Sequence, residues 1–147
     1  MVKFIKVIAF LLFMTSCIFC TIIEGQIPCY KVYEDEDTLS FLDIHPHAKG
    51  HTVVIPKVHA ETSFDLTDTQ LQELIIDVQN TLRRINEVLR PDGFNVGWNH
   101  NPAGGQVVPH LHIHIFPRYK DDGGGSMHSI ITNAGKVSVE EVANLFM

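Results

Sequence analysis

Polar and apolar positions alternate from His110 to Ile115 in the stretch His110-Leu111-His112-Ile113-His114-Ile115-Phe116. A period of two belongs to a strand, so the three imidazoles share one face while Leu111, Ile113 and Ile115 turn to a core. A different period governs 68–89, where Leu71, Leu74, Ile75, Val78, Leu82, Ile85 and Leu89 recur at intervals of three and four. That spacing predicts a helix over Asp68 to Leu89 with its apolar stripe in the core. Thr67 to Gln70 is a T-x-x-Q capping box at its start, and Pro91-Asp92-Gly93 ends it. Tyr30 to Glu34, Thr38 to Asp43, His51 to Pro56 and Phe94 to Trp98 read as strands, the first two as a hairpin across Asp35 to Asp37. A short helix is expected from Cys17 to Glu24, stopped by Gly25, and Ser138 to Glu141 forms a second capping box opening a terminal helix through Phe146. Asp121 to Ser126 reads as a flexible loop. The order of elements predicts an α+β fold, an antiparallel sheet with one long helix packed on a face.

A length of 147 residues, 45% of them hydrophobic, suits one domain with a real core, expected over 17–147. The formal charge of -6 excludes a sequence-independent grip on nucleic acid, which needs a basic patch, but leaves room for a small anion held by local donors. Residues 1–16 form an apolar extension in which Lys3 and Lys6 precede the run from Val7 to Met14. It reads either as an extension ahead of a natural start at Met14 or as a secretory signal or anchor, and a membrane is a partner only in the latter case. Cys17, Cys20 and Cys29 are odd in number and include a C-x-x-C, which points to a reduced, cytoplasmic setting rather than a disulfide framework; export through the apolar segment is the alternative.

Strand geometry restricts what three alternating histidines can do. Neighbouring rings would stand about 7 Å apart and the outer pair about 13 Å, too far for one metal to bind all three. Cys17 and Cys20 supply half of a tetrahedral zinc site, and the histidine donors to complete it are His51, His59 or one end of the triad. The loop Asn99 to Val108 precedes a strand, so it is neither a Walker nor a Rossmann loop. Gly104 and Gly105 still let backbone N–H groups approach an anion, with Asn99 and Gln106 adding neutral donors. His45, His47 and His128 read as solvated loop residues, and His51 either as support near an anion or as the start of a strand. Trp98 and the phenylalanines other than Phe41 read as core or interface.

His110 to Phe116 resembles the His-φ-His-φ-His-φ-φ signature of the histidine triad superfamily, and Gly104 to Pro109 is similar to the glycine-glutamine approach of its Hint branch. Cys17 to Gly25, Phe41 to Ile44 and Gly50 to Lys57 agree with it, so the likeness covers nearly everything from Cys17 to Arg118. The resemblance implies a homodimer whose sheets join, with one purine nucleotide site per subunit for AMP or an adenosine conjugate. It implies that His112 attacks the α-phosphorus and carries a transient nucleotidyl group, and that His114 contacts the phosphate or assists the leaving group. Gln106 and the Gly105 to Val107 backbone would stabilise the developing charge, Phe41 and Ile44 would flank the base, Asp43 would accept from the ribose, and Asn99 would lie near the ribose or phosphate. Val107 departs from the serine of some Hint enzymes, which leaves the leaving group open. The same likeness implies a structural zinc on Cys17, Cys20, His59 and His110, and no organic cofactor.

The leading expectation is therefore a nucleotide hydrolase or transferase, phosphoramidase-like or dinucleoside polyphosphate hydrolase-like. One alternative is a non-catalytic nucleotide-binding adaptor of the same fold. Another is a metal-dependent hydrolase with a catalytic ion on His110 and His112, disfavoured because no H-x-H-x-D-H follows.

Overall fold

The two periodicities build two layers. In the computed structural model, which describes residues 17–147, β1 (Lys31–Glu34), β2 (Thr38–Leu42), β3 (Thr52–Pro56), β4 (Gly93–Gly97) and β5 (Ile113–Arg118) form one sheet in the order β1-β2-β3-β5-β4. Every neighbouring pair is antiparallel, and β1 and β2 form the expected hairpin. The apolar extension at 1–16 lies outside the described residues. Among the described residues no helix is long and apolar enough to cross a membrane.

Among the described residues there are three α-helices, α1 (Ile18–Ile23), α2 (Asp68–Leu89) and α3 (Val139–Ala143). Both capping boxes form as expected, on α2 from Thr67 and Gln70 and on α3 from Ser138 and Glu141. Leu74, Val78 and Ile85 of α2 are buried against Val54, Leu111, Ile113 and Ile115, with Leu82 and Leu89 packed beside them. Ile75 departs from the expected stripe and stays 45% exposed. It is one residue, about 100° of helix, past Leu74 and falls beyond the strip that meets the sheet. Asp77 and Thr81 lie inside that strip instead. Thr81 Oγ1 donates to the Asp77 carbonyl at 2.7 Å and lies 2.8 Å from Ser40 Oγ, which satisfies these buried groups.

The opposite face of the sheet carries Leu39, Phe41, Val53 and Ile55, covered by Phe19, Ile22, Ile23 and Cys29. Both faces of β2 and β3 are thus enclosed, and all of β3 is buried. Register sets the site: Val53 lies opposite His114 and Val54 opposite Ile113, so His114 emerges on the α1 side and Ile113 on the α2 side. Gly50 brings the chain into β3 at φ +84, and a Cβ there would collide with Leu89 Cδ1. Only glycine meets both demands, and His51 follows it.

Two expectations need correction. Ladder pairing begins at Ile113, so His110 to His112 precede the strand rather than belonging to it. Here His110 N–H turns back to the Val108 carbonyl and Leu111 N–H reaches that of Ala60, because pairing with β3 ends at Val54. The loop 121–126 is also not free. Asp122 takes both arms of the Arg118 guanidinium at 2.7 Å, and Arg118 Nη1 donates to the Gly125 carbonyl at 2.6 Å. Low complexity hid this fork, which holds the Asp122 carboxyl well below the usual carboxylate range.

Candidate active site and metal cluster

The N-terminal helix brings two thiols to the histidine segment. Cys17 caps α1, its sulfur accepting from Cys20 N–H at 3.3 Å, and one turn of helix places both sulfurs on one side. Cys17 Sγ lies 3.4 Å from His110 Nδ1, and Cys20 Sγ lies 3.3 Å from His59 Nδ1 and 3.6 Å from His110 Nδ1. All four donor atoms fall within 4.8 Å of one another. A tetrahedral zinc with bonds of about 2.3 Å to sulfur and about 2.0 Å to nitrogen spaces adjacent S and N ligands by roughly 3.5 Å. The four side chains therefore fit zinc. His110 Nε2–H donates to the Pro56 carbonyl at 2.8 Å, which leaves Nδ1 as the coordinating atom and fixes the ring. Burial holds the His110 imidazole down at about 4 and pushes the Cys20 thiol, beside Cys17, up to about 11. A bound cation would reverse the latter shift.

The next ring is wired the other way round. His112 Nδ1 lies 2.7 Å from the His110 carbonyl, and a carbonyl only accepts, so Nδ1 carries the proton and Nε2 is left with a lone pair. His114 receives its tautomer from outside the segment. His47 N–H donates to His51 Nδ1 at 3.3 Å, which puts the His51 proton on Nε2, and that atom lies 2.9 Å from His114 Nδ1. His114 Nδ1 accepts, and its own proton sits on Nε2. Burial, helped by the neighbouring His112 and His51, lowers the His114 pKa to about 4; burial also lowers that of His51, against the pull of Asp43 3.7 Å away.

These rings border a cavity of about 690 Å³. Phe41, Asp43, Ile44 and Asn99 line it, as do Gly105, Val107, His112 and His114, so nearly all of the expected ligand residues converge. Gln106 is the exception in placement. Its side-chain nitrogen donates to the carbonyls of Glu61 at 2.7 Å and Val108 at 3.0 Å, and its oxygen accepts from Asn101 N–H at 2.8 Å. The carboxamide thus staples the glycine loop together. Gly105, at φ +92 with its missing side chain toward Asn99, completes that turn, and Asn99 donates to its carbonyl at 3.4 Å.

Several lining residues had no signal in the sequence. Met127 and Ile130 reach the cavity from beyond the pinned loop, and Trp98, 41% exposed, lines it instead of the core. His45 and His47 are exposed loop residues, as expected, and also border it. Phe64 is 86% exposed and packs against His100 in a tilted arrangement, the ring centroids 4.6 Å apart. His51, left open by the sequence, is 2% exposed and is the partner of His114. Phe19 packs edge-on against Phe41, His110 and His112. Each His110 nitrogen is engaged away from the cavity, Nδ1 beside the two thiols and Nε2 on the Pro56 carbonyl, which disfavours the alternative of a catalytic ion on His110 and His112.

The HIT domain family model matches residues 24–121. The chain is 44% identical over 131 residues to Protein hit of Bacillus subtilis, covering 88% of this chain and 89% of that protein. It is 39% identical over 109 residues to the adenosine 5'-monophosphoramidase of Schizosaccharomyces pombe, covering 74% of this chain and 79% of that one. The crystal structure of a HIT family protein from Bacillus anthracis superposes with a TM-score of 0.77 at 41% identity, covering 90% of this chain and 93% of that chain.

Proposed function

Since this chain belongs to the HIT family, we propose that it is a purine nucleotide hydrolase or transferase that works through a nucleotidyl-His112 intermediate. The observation that carries this reading is the 2.7 Å bond from His112 Nδ1 to the His110 carbonyl. It leaves Nε2 unprotonated on a ring that borders the cavity, and it stabilises the positive imidazole that forms when Nε2 bonds to phosphorus. The name of the fission yeast relative supports an adenosine phosphoramidate as substrate.

The chemistry follows from the three tautomers. His112 Nε2 attacks the α-phosphorus; the P–N bond to the leaving amine breaks, and the amine departs with a proton from solvent. Water then adds to phosphorus, the bond to His112 breaks, AMP leaves, and the surplus proton returns to solvent. His114 Nε2–H donates to a phosphate oxygen throughout, which suits a group that burial keeps neutral. No lysine or arginine lines the cavity among the described residues, so phosphate is held by imidazole and backbone donors. Phe41 and Ile44 sandwich the base, Asp43 accepts from the ribose, and Asn99 and the Gly105 to Val107 backbone face the phosphate, with Gln106 holding that backbone in shape.

Zinc bound by Cys17, Cys20, His59 and His110 would supply a fixed cross-link between α1 and the histidine segment. The remaining parts of the proposal are a single domain over 17–147, a homodimer with joined sheets and a cytoplasmic site of action. Replacing His112 by alanine is expected to cut turnover of an adenosine phosphoramidate at least about 10³-fold while AMP still binds. Full turnover in that variant rejects the reading. AMP binding without turnover in the wild type favours the adaptor alternative.

A further inference from the structure

We propose that Phe19 is a positioning residue for His112, and that cation occupancy of Cys17, Cys20, His59 and His110 controls it, so that the cluster governs turnover as well as holding the fold. The inference rests on His112 being the nucleophile.

Helix α1 is six residues long, too short to persist without tertiary support. Its N-cap Cys17 and its Cys20 turn to the metal cluster while Phe19 turns to the sheet. The Phe19 ring lies 5.2 Å from His112 at 66°, 5.8 Å from His110 at 88°, and 5.9 Å from Phe41 at 64°. One aromatic ring therefore touches the nucleophile, the metal-facing histidine and the cavity wall, all edge-on. The His112 ring is otherwise fixed by its bond to the His110 carbonyl and its contact with His114.

His110 joins the two systems a second time. Its Nδ1 faces the thiols while its carbonyl holds the His112 proton. A ligand set that closes around a cation fixes both connections at once, through the peptide of His110 and through the helix that carries Phe19. Opening the cluster frees α1 to withdraw, and His112 loses the wall that keeps its ring from turning Nδ1 toward the cavity. Misorientation of this kind costs rate before it costs binding.

The test uses zinc-loaded protein in the wild type, Phe19→Leu and Phe19→Ala. It reads kcat and KM with an adenosine phosphoramidate, zinc content, and the tautomer of His112 by long-range 1H–15N correlation. In Phe19→Ala, kcat is expected to fall about tenfold or more with zinc content unchanged, and His112 to show both tautomers. Phe19→Leu should fall between. Chelating zinc from wild-type protein that keeps its far-ultraviolet circular dichroism should move the same His112 signals in the same direction. The proposal is overturned by a kcat within about twofold of wild type in Phe19→Ala, or by His112 signals that ignore chelation. A lower melting temperature with kcat and tautomer intact would show a merely structural Phe19 and overturns it equally. If the wild type shows no turnover, the nucleophile reading fails, and the His112 spectra still decide whether Phe19 and the cluster hold the ring.

Discussion

At one end of the 110–114 segment the His110 ring is fully buried and turned toward two thiols and His59; at the other the His114 ring borders an open cavity and leans on His51. Burial brings both imidazoles down to about 4, so both are neutral at neutral pH, and both carry the proton on Nε2. Residue type, charge and tautomer are the same. What differs is what each nitrogen meets. The His110 proton is taken by the Pro56 carbonyl and its lone pair faces the cluster, whereas the His114 lone pair is taken by His51 and its proton is left for a ligand. Between them His112 is reversed by one backbone carbonyl. Equal spacing thus yields three roles because the hydrogen-bond partner of one ring nitrogen decides the task of the other.

Replacing either His110 or His112 by asparagine breaks this division most directly. His112→Asn should lose turnover by at least about 10³-fold and keep its zinc. His110→Asn should lose zinc and stability, with a melting temperature lower by roughly 10 °C if about 3 kcal/mol is lost. Zinc analysis and thermal melts distinguish them, and His112→Asn protein that sheds its metal would contradict the separation.

Releasing His114 from its partner has a smaller effect. His51→Ala removes the donor that sets the His114 tautomer, and turnover should drop roughly tenfold with no change in zinc content. Unchanged kcat and KM in that variant would mean that His51 only fills space.

The smallest effect is on stability against pH. Because the folded-state pKa values of His114 and His51 lie below the usual histidine value, the unfolded chain binds more protons than the folded one in that window. The contribution of His114 is complete above about pH 6.5 and is lost as the pH falls toward about 4, and that of His51 declines in the same direction. Denaturant titrations should show that decline, and it should be shallower in His114→Asn. An identical slope in the variant would place the acid sensitivity elsewhere.

The strands, the long helix and its capping box were legible because each rests on local periodicity or a four-residue signal. The four metal-cluster residues and most cavity residues were legible through motif likeness, since C-x-x-C and H-x-H-x-H keep their spacing in the chain. Hidden were contacts between distant residues that no period encodes. Examples are His51 against His114, 63 positions apart, and Gln106 against the Glu61 carbonyl, 45 apart. Phe19 was hidden for another reason: an aromatic residue inside a short apolar helix looks like any core residue until its neighbours are known. Polar sequence likewise made 121–126 look loose, although Arg118 and Asp122 lock it.

The central claim is that His112, alone of the three rings, offers an unprotonated Nε2 to phosphorus. Rapid acid-free quenching of a single turnover with an adenosine phosphoramidate, followed by peptide mass spectrometry, tests it directly. The account predicts a nucleotidyl adduct on His112 that disappears as AMP is released. An adduct on His110 or His114, or full turnover with no protein-bound nucleotide at any time, would contradict it.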